Sequence, residues 1–224
     1  MLPIILIVLA VFLLPGLWTK WVLKRHAGHR DDFRGSGEAF ARQLLEEQGM
    51  ATVGVEQTEQ GDHYDPSSKT VRLSASNFSG HSLTAITVAA HEVGHAIQDH
   101  HNLGGLHLRS RMVHFTQTAE RIGSGLMLAI PVLVLLTRMH VPGLLLFAGG
   151  VLAFGSAALV HLVTLPVEWD ASFRRAMPIL QAGYLSGPDL AAARHILLAC
   201  AFTYVAASLM SVFNIWRWIA LLRR

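Results

Sequence analysis

One segment constrains the fold of this chain more than any other: residues 83–98, which contain a His-Glu-x-x-His pattern at His91, Glu92 and His95. Residues four apart lie on the same face of an α-helix, with their Cβ atoms roughly 5–6 Å apart. No charged residue occurs from 83 to 90, and Glu92 is the only charge between the two histidines. A solvated helix face would carry charges at such positions, so we predict a helix that is buried around the two histidines.

The spacing of this pattern suits a metal ion. Two imidazoles on one helix face can both approach an ion at about 2.0–2.1 Å, the distance that zinc prefers. Glu92 follows the first histidine directly, so its carboxylate can reach a water on that ion without ligating it. The pattern therefore predicts a zinc hydrolase in which His91 and His95 are ligands and a zinc-bound water is activated by Glu92 as catalytic base. The alternative is a chance occurrence on an ordinary helix, and the uncharged flanks count against it.

The composition adds long apolar runs to this picture. Hydrophobic residues make up 52% of the chain, charged residues only 15%, and the mean hydropathy is +0.40. A soluble domain carries about 25% charged residues. We therefore predict a mainly α integral membrane protein with about four transmembrane helices and a small α+β zincin-like catalytic unit. The four apolar runs are residues 2–18, 122–137, 141–165 and 196–215.

Basic residues cluster beside these runs, and the pI is near 9.4. This placement favours a lipid bilayer with anionic headgroups as partner, and it argues against nucleic acid. The first run has no basic residue before Lys20, so we expect a retained anchor rather than a cleaved signal peptide. Two crossings between the motif and residue 166 would return the chain to the same face. The distribution of basic residues then predicts a multi-pass protein of the bacterial inner membrane with its active site on the cytoplasmic side.

The region before the motif has a soluble character. We predict a helix from residue 36 to 49, strands at 52–55 and 70–74, and a motif helix that Ser82 caps and that ends near His100. The strand directly before the motif helix, at residues 71–74, is a candidate edge that pairs with substrate backbone. The alternative is a strand that only packs on the helix.

Two positions compete for the third metal ligand. His101 lies six residues after the second histidine, but Gln98 favours a continued helix, which would carry His101 about 9 Å along the axis. Glu168 follows a long apolar run, where an acid is costly unless it is paired or bound to a cation. We therefore predict Glu168 as the third ligand; the alternative is an interfacial acid bridged to Arg174 or Arg175.

The chain resembles the YugP-type membrane zinc metallopeptidases, bacterial multi-pass proteins that are similar to the HtpX-type membrane peptidases. The resemblance implies peptide-bond hydrolysis, with zinc held by His91, His95 and an acidic third ligand and with Glu92 as catalytic base. In HtpX-type enzymes an aspartate stands four residues after the third-ligand glutamate. Ser172 occupies that position here, which makes Asp170 a candidate for supporting the site. The matching segments are residues 62–66, 71–74, 89–98, 165–172 and 198–207.

The predicted function is that of a gluzincin-like zinc endopeptidase at the membrane, acting on peptide or membrane-protein substrates. The alternative is a non-catalytic membrane scaffold with a structural metal site. Such sites are normally closed by four protein ligands and have no use for Glu92, and the single cysteine, Cys200, excludes a four-cysteine site and a disulfide framework. The sequence predicts no particular oligomeric state. The predicted domains are an N-terminal transmembrane anchor (1–22), the catalytic unit (23–120), a transmembrane hairpin (121–165), a third-ligand segment (166–195) and a C-terminal transmembrane helix with a basic tail (196–224).

Overall fold

The computed structural model describes residues 2–33, 35–137 and 140–222. These residues belong to two compact units, one formed by Met1–Pro15, Arg109–Thr164 and Tyr204–Arg224, the other by Gly16–Leu108 and Leu165–Thr203. The described elements are mostly helical, with one small sheet. In chain order they are α1 (Leu2–Arg25), α2 (Gly37–Glu47), β1 (Gly54–Thr58), β2 (His63–Asp65), β3 (Thr70–Ser74), α3 (Ala75–Phe78), α4 (Leu83–His100), α5 (Gly104–Thr137), α6 (His140–Trp169), the π-helix π1 (Asp170–Ala176), α7 (Met177–Ile179), the π-helix π2 (Leu180–Tyr184) and α8 (Gly187–Leu222).

The motif helix α4 is the centre of the second unit. The Ser82 hydroxyl accepts a hydrogen bond from the backbone N–H of Ala85 at 3.1 Å, which caps the helix as predicted. Residues 83–99 are all buried. The predicted burial of this helix and its end at His100 are therefore confirmed. Helix α2 packs against it through a buried apolar stripe formed by Phe40, Ala41, Leu44 and Leu45.

The sheet has the order β1–β3–β2, with β1 parallel and β2 antiparallel to β3. Strand β3 is therefore central rather than an edge. Beyond β2, the backbone N–H of Ser74 donates to Asp62 Oδ1 at 2.7 Å. The prediction that residues 71–74 pair with substrate is wrong, because neighbouring elements occupy both sides of the strand. Val71 and Leu73 are fully buried in the core that β3 shares with α4, which is the alternative reading.

The expectation of about four transmembrane helices needs correction. Among the residues whose side chains the structure describes, one helical stretch, Gly187–Met210, is long and apolar enough to cross a membrane. Length and composition are weak evidence for even this one, because a core helix of a soluble protein passes the same test. The run at 122–137 falls short of the roughly 20 residues that a span requires, and it is the second half of the longer, partly polar helix α5. The multi-pass topology and the cytoplasmic placement of the site were both inferred from the number of predicted spans. Without those spans, neither prediction is supported.

Candidate metal centre

Three buried side chains meet at the middle of α4. His91 Nε2 and His95 Nε2 each lie 3.3 Å from Glu168 Oε2, and the two imidazole rings are inclined by 77°. Their potential ligand atoms all lie within 4.8 Å of one another. His91 is 4% exposed, and His95 and Glu168 are each 1% exposed. The structure thus brings together the three residues predicted as ligands, across 73 residues of sequence between His95 and Glu168.

The spacing between these atoms fits zinc. When a tetrahedral ion is bound at about 2.0–2.1 Å, neighbouring ligand atoms are separated by about 3.3–3.4 Å. Both imidazole-to-carboxylate distances match this separation. The donor set of two imidazoles and one carboxylate leaves a fourth tetrahedral position for water or substrate.

The hydrogen bond on the far side of the His91 ring fixes its tautomer. The Ser172 hydroxyl lies 3.0 Å from His91 Nδ1 and donates its proton to the carbonyl oxygen of Leu197 at 3.2 Å. A hydroxyl has one proton, so both contacts are satisfied together when Ser172 Oγ donates to Leu197 and accepts from His91 Nδ1–H. The other ring nitrogen, Nε2, faces Glu168 Oε2 and is the atom available to a cation there.

The same reasoning applies to His95. Its Nδ1 lies 2.9 Å from Gln98 Oε1, an atom that can only accept a hydrogen bond. Gln98 Nε2 is oriented by donation to the carbonyl oxygen of Val167 and to Asp170 Oδ2, both at 2.9 Å. His95 Nδ1 therefore carries a proton, and its Nε2 also faces Glu168 Oε2.

The Nε2 atoms of two imidazoles and the Glu168 carboxylate thus face one buried space. Without positive charge between them these atoms would repel one another, and burial makes the repulsion more costly. A divalent cation removes this conflict, and ligating histidines that donate their other N–H to an oxygen are the usual arrangement in metal sites. The residues present therefore fit a zinc ion.

Gly94, which lies inside the motif, allows α4 and π1 to approach each other closely. A Cβ added at Gly94 would lie 2.7 Å from the backbone oxygen of Ala171 and 3.3 Å from Arg175 Cβ. Both contacts are with π1, the element that carries Ser172. Only glycine fits here without displacing π1. π-helical turns occur frequently at functional sites, and this one positions the hydroxyl that contacts His91.

Three further residues from the sequence analysis, Glu92, His101 and Arg175, have defined positions in the structure. Glu92 lies within α4 beside His91 and is 5% exposed. His101 is the exposed C-terminal cap of a helix that continues through Gln98, which removes it from the metal centre as argued from the sequence. Arg175 Nε donates to Asp170 Oδ2 at 3.2 Å, so this arginine pairs with an acid two residues beyond Glu168.

Sequence reasoning missed two residues that support the metal-binding histidines, Ser172 and Gln98. Ser172, which seemed a departure from the aspartate of HtpX-type enzymes, itself contacts His91. Asp170, the candidate for that support, contacts Gln98 instead. The signal for Gln98 was its place three residues after His95, since such residues are neighbours on a helix face. Glu168 lies near the end of α6, which continues through Pro166.

Two comparisons with known proteins point to metallopeptidases. The family model described as "Putative neutral zinc metallopeptidase" matches residues 1–223. The chain is also similar to "Putative membrane protease YugP" of Bacillus subtilis (strain 168), with 36% identity over 186 residues that cover 82% of this chain and 79% of the relative. No solved structure matches the chain. Because the family match extends over nearly the whole chain, this protein belongs to that family of zinc metallopeptidases.

Proposed function

We propose that this protein is a gluzincin-like zinc endopeptidase in which His91, His95 and Glu168 hold the metal and Glu92 is the general base. One observation carries the proposal: Glu168 Oε2 lies 3.3 Å from two imidazole nitrogens whose rings donate their protons in the opposite direction. Membership of a zinc metallopeptidase family supports the same assignment.

A zinc ion bound by these residues would lower the pKa of a coordinated water to about 7 and polarise the scissile carbonyl. The two histidines would bind it as neutral ligands, and the Glu168 carboxylate would offset part of its positive charge. Glu92 takes a proton from the attacking water as the new carbon–oxygen bond forms. It then delivers that proton to the amide nitrogen as the carbon–nitrogen bond breaks, so that a carboxylate and an amine leave.

The third ligand defines the proposed subclass. A glutamate from a separate helix is the gluzincin arrangement, whereas a third histidine six residues after the motif is the metzincin arrangement. Glu168 is supplied by α6, and His101 lies exposed beyond the end of α4. These positions support the gluzincin-like assignment.

The proposed setting is the bacterial cell membrane, with peptides or membrane proteins as substrates. The relative from Bacillus subtilis is named a membrane protease, and Gly187–Met210 has the length and composition of a span. The second half of α1 exposes Leu14, Leu17 and Trp21 beside basic residues, and Arg25 lies over the Trp21 ring. Exposed apolar side chains next to cations suit the boundary between lipid tails and headgroups.

The test is metal analysis of the purified full-length protein, combined with degradation of an unfolded membrane protein. We expect about one zinc ion per chain, cleavage that a chelator abolishes, and recovery when zinc is restored. Zinc binding without cleavage would instead identify the scaffold alternative. Cleavage that persists after complete removal of the metal would contradict the proposal.

A further inference from the structure

Gln98 connects the two segments that carry the metal-binding residues. Gln98 is 2% exposed and lies three residues after His95 on α4. Its oxygen accepts from His95 Nδ1, while its nitrogen donates to the carbonyl oxygen of Val167 and to Asp170 Oδ2, all at 2.9 Å. Val167 and Asp170 lie on either side of Glu168 in the chain. One amide therefore contacts a metal-binding histidine and both flanks of the metal-binding glutamate.

The orientation of this amide decides what His95 meets. A glutamine can rotate its terminal group by 180°, which exchanges the oxygen and the nitrogen. Here two oxygen atoms, those of Val167 and Asp170, hold the nitrogen away from the imidazole. Asp170 is in turn fixed by Arg175 Nε, which donates to the same Oδ2 at 3.2 Å. In the rotated amide, the Gln98 oxygen would face the oxygen atoms of Val167 and Asp170. Its N–H groups would face the N–H of His95 Nδ1.

We propose that Gln98 and Asp170 are a positioning pair for the metal centre. Asp170 fixes the orientation of the Gln98 amide; Gln98 directs His95 Nε2 toward the ion and holds the Glu168 segment against α4. This inference rests on the proposed function, because it assumes that His95 and Glu168 bind a metal. Neither residue of the pair needs to touch substrate.

The experiment compares zinc affinity, measured by chelator competition on the purified full-length protein, with the absorption spectrum of the cobalt-substituted form. Gln98→Glu keeps an oxygen for His95 but sets its second oxygen against Val167 and Asp170. We expect zinc binding to weaken about 10- to 100-fold and the cobalt spectrum to change, as for other residues that orient metal ligands. Asp170→Asn alone keeps an oxygen for Gln98 and Arg175, so its zinc affinity should change by less than about threefold.

The double variant Gln98→Glu/Asp170→Asn is the decisive arm. The asparagine amide can donate to the introduced carboxylate, whereas the Val167 carbonyl oxygen still faces it, so we expect part of the lost zinc affinity to return and the cobalt spectrum to shift back toward that of the wild type. Such recovery means that the two side chains act through each other. Should Gln98→Glu not fold, recovery of both folding and zinc affinity in the double variant supports the pair equally well. A double variant that binds zinc no better than Gln98→Glu overturns the proposal.

Gln43→Glu is the matched control. Gln43 is exposed on α2 and donates to Glu47 Oε1 at 2.9 Å, so the substitution makes the same change beside a carboxylate away from the metal centre. Its zinc affinity should equal that of the wild type. Wild-type affinity in Gln98→Glu would also overturn the positioning role. A wild-type protein that binds no zinc would contradict the proposed function instead, which keeps the two failures distinguishable.

Discussion

Glu168 and His101 are the two residues whose substitution separates the alternative metal sites. Glu168 is 1% exposed and lies against both motif histidines, whereas His101 is exposed at the end of α4. We expect Glu168→Ala to lower zinc affinity more than about 100-fold and to abolish cleavage, because it removes a direct ligand. His101→Ala should leave both nearly intact. Zinc content after dialysis and a cleavage assay measure the difference. Loss of zinc and cleavage in His101→Ala, with both retained in Glu168→Ala, would identify the metzincin arrangement instead.

Ser172 provides a second prediction at the scale of single residues. Its hydroxyl accepts from His91 Nδ1–H and is completely buried. Ser172→Ala removes the acceptor and leaves a buried imidazole N–H without that partner, so zinc affinity should fall about 10-fold. Ser79→Ala is the control, since the exposed Ser79 hydroxyl only donates to a backbone carbonyl within a short helix. Equal zinc affinity in the two variants would show that Ser172 does not support His91.

The sequence predicted the meeting of His91, His95 and Glu168 but not the hydrogen bonds around them. Histidines four apart on one helix must share a face, and an isolated acid after an apolar run requires a partner. The contacts of Ser172 and Gln98 depend on where π1 lies against α4. That placement is a tertiary property with no local sequence period.

At the scale of structural elements, α4 and π1 approach each other closely at Gly94. Because an added Cβ would lie 2.7 Å from the Ala171 oxygen, Gly94→Ala must displace π1 and with it Ser172. We expect a loss of about 1–3 kcal/mol in the free energy of unfolding, together with weaker zinc binding. Gly28→Ala is the control, because no atom beyond its two chain neighbours lies within 4 Å of its added Cβ. Denaturant unfolding and chelator competition measure both effects, and wild-type behaviour of Gly94→Ala would contradict the close approach.

The secondary structure was predictable where local signals were strong. The Ser82 cap and the uncharged segment after it gave α4 with its correct end at His100. Strand β2 was missed because it has only three residues, too few for a period of two to be recognised. The central position of β3 was also missed, since the partner that covers its second side was the missing strand. Pro166 did not end α6, as the loss of one backbone hydrogen bond need not terminate a long helix.

At the scale of the whole molecule, the apolar runs predicted more spans than the described residues support. Apolar runs are shared by spanning helices and by helices packed in a protein core, so composition alone cannot distinguish them. Gly187–Met210 is the stretch with suitable length and composition among the described side chains, and several of its residues, including Ile196 and Leu197, are fully buried in the protein.

Association with the membrane is the prediction at this scale. We expect the full-length protein to sediment with the membrane fraction of expressing bacteria and to remain there after a wash with concentrated salt. Salt screens the attraction of Lys20, Lys24 and Arg25 to headgroups but does not weaken apolar contact with lipid. Release by salt would mean a purely electrostatic attachment. Recovery in the soluble fraction without any wash would contradict the proposed setting.

The central claim is that Glu92 moves the proton in a reaction for which His91, His95 and Glu168 hold the metal. The most direct measurement compares Glu92→Gln with the wild type in zinc content and in cleavage rate. This substitution preserves the size of the side chain and removes the base. Glu59→Gln, the same change at an exposed position, is the control. The account predicts that Glu92→Gln retains about one zinc ion and that its cleavage rate falls at least about 100-fold. Cleavage by Glu92→Gln at the wild-type rate would contradict it.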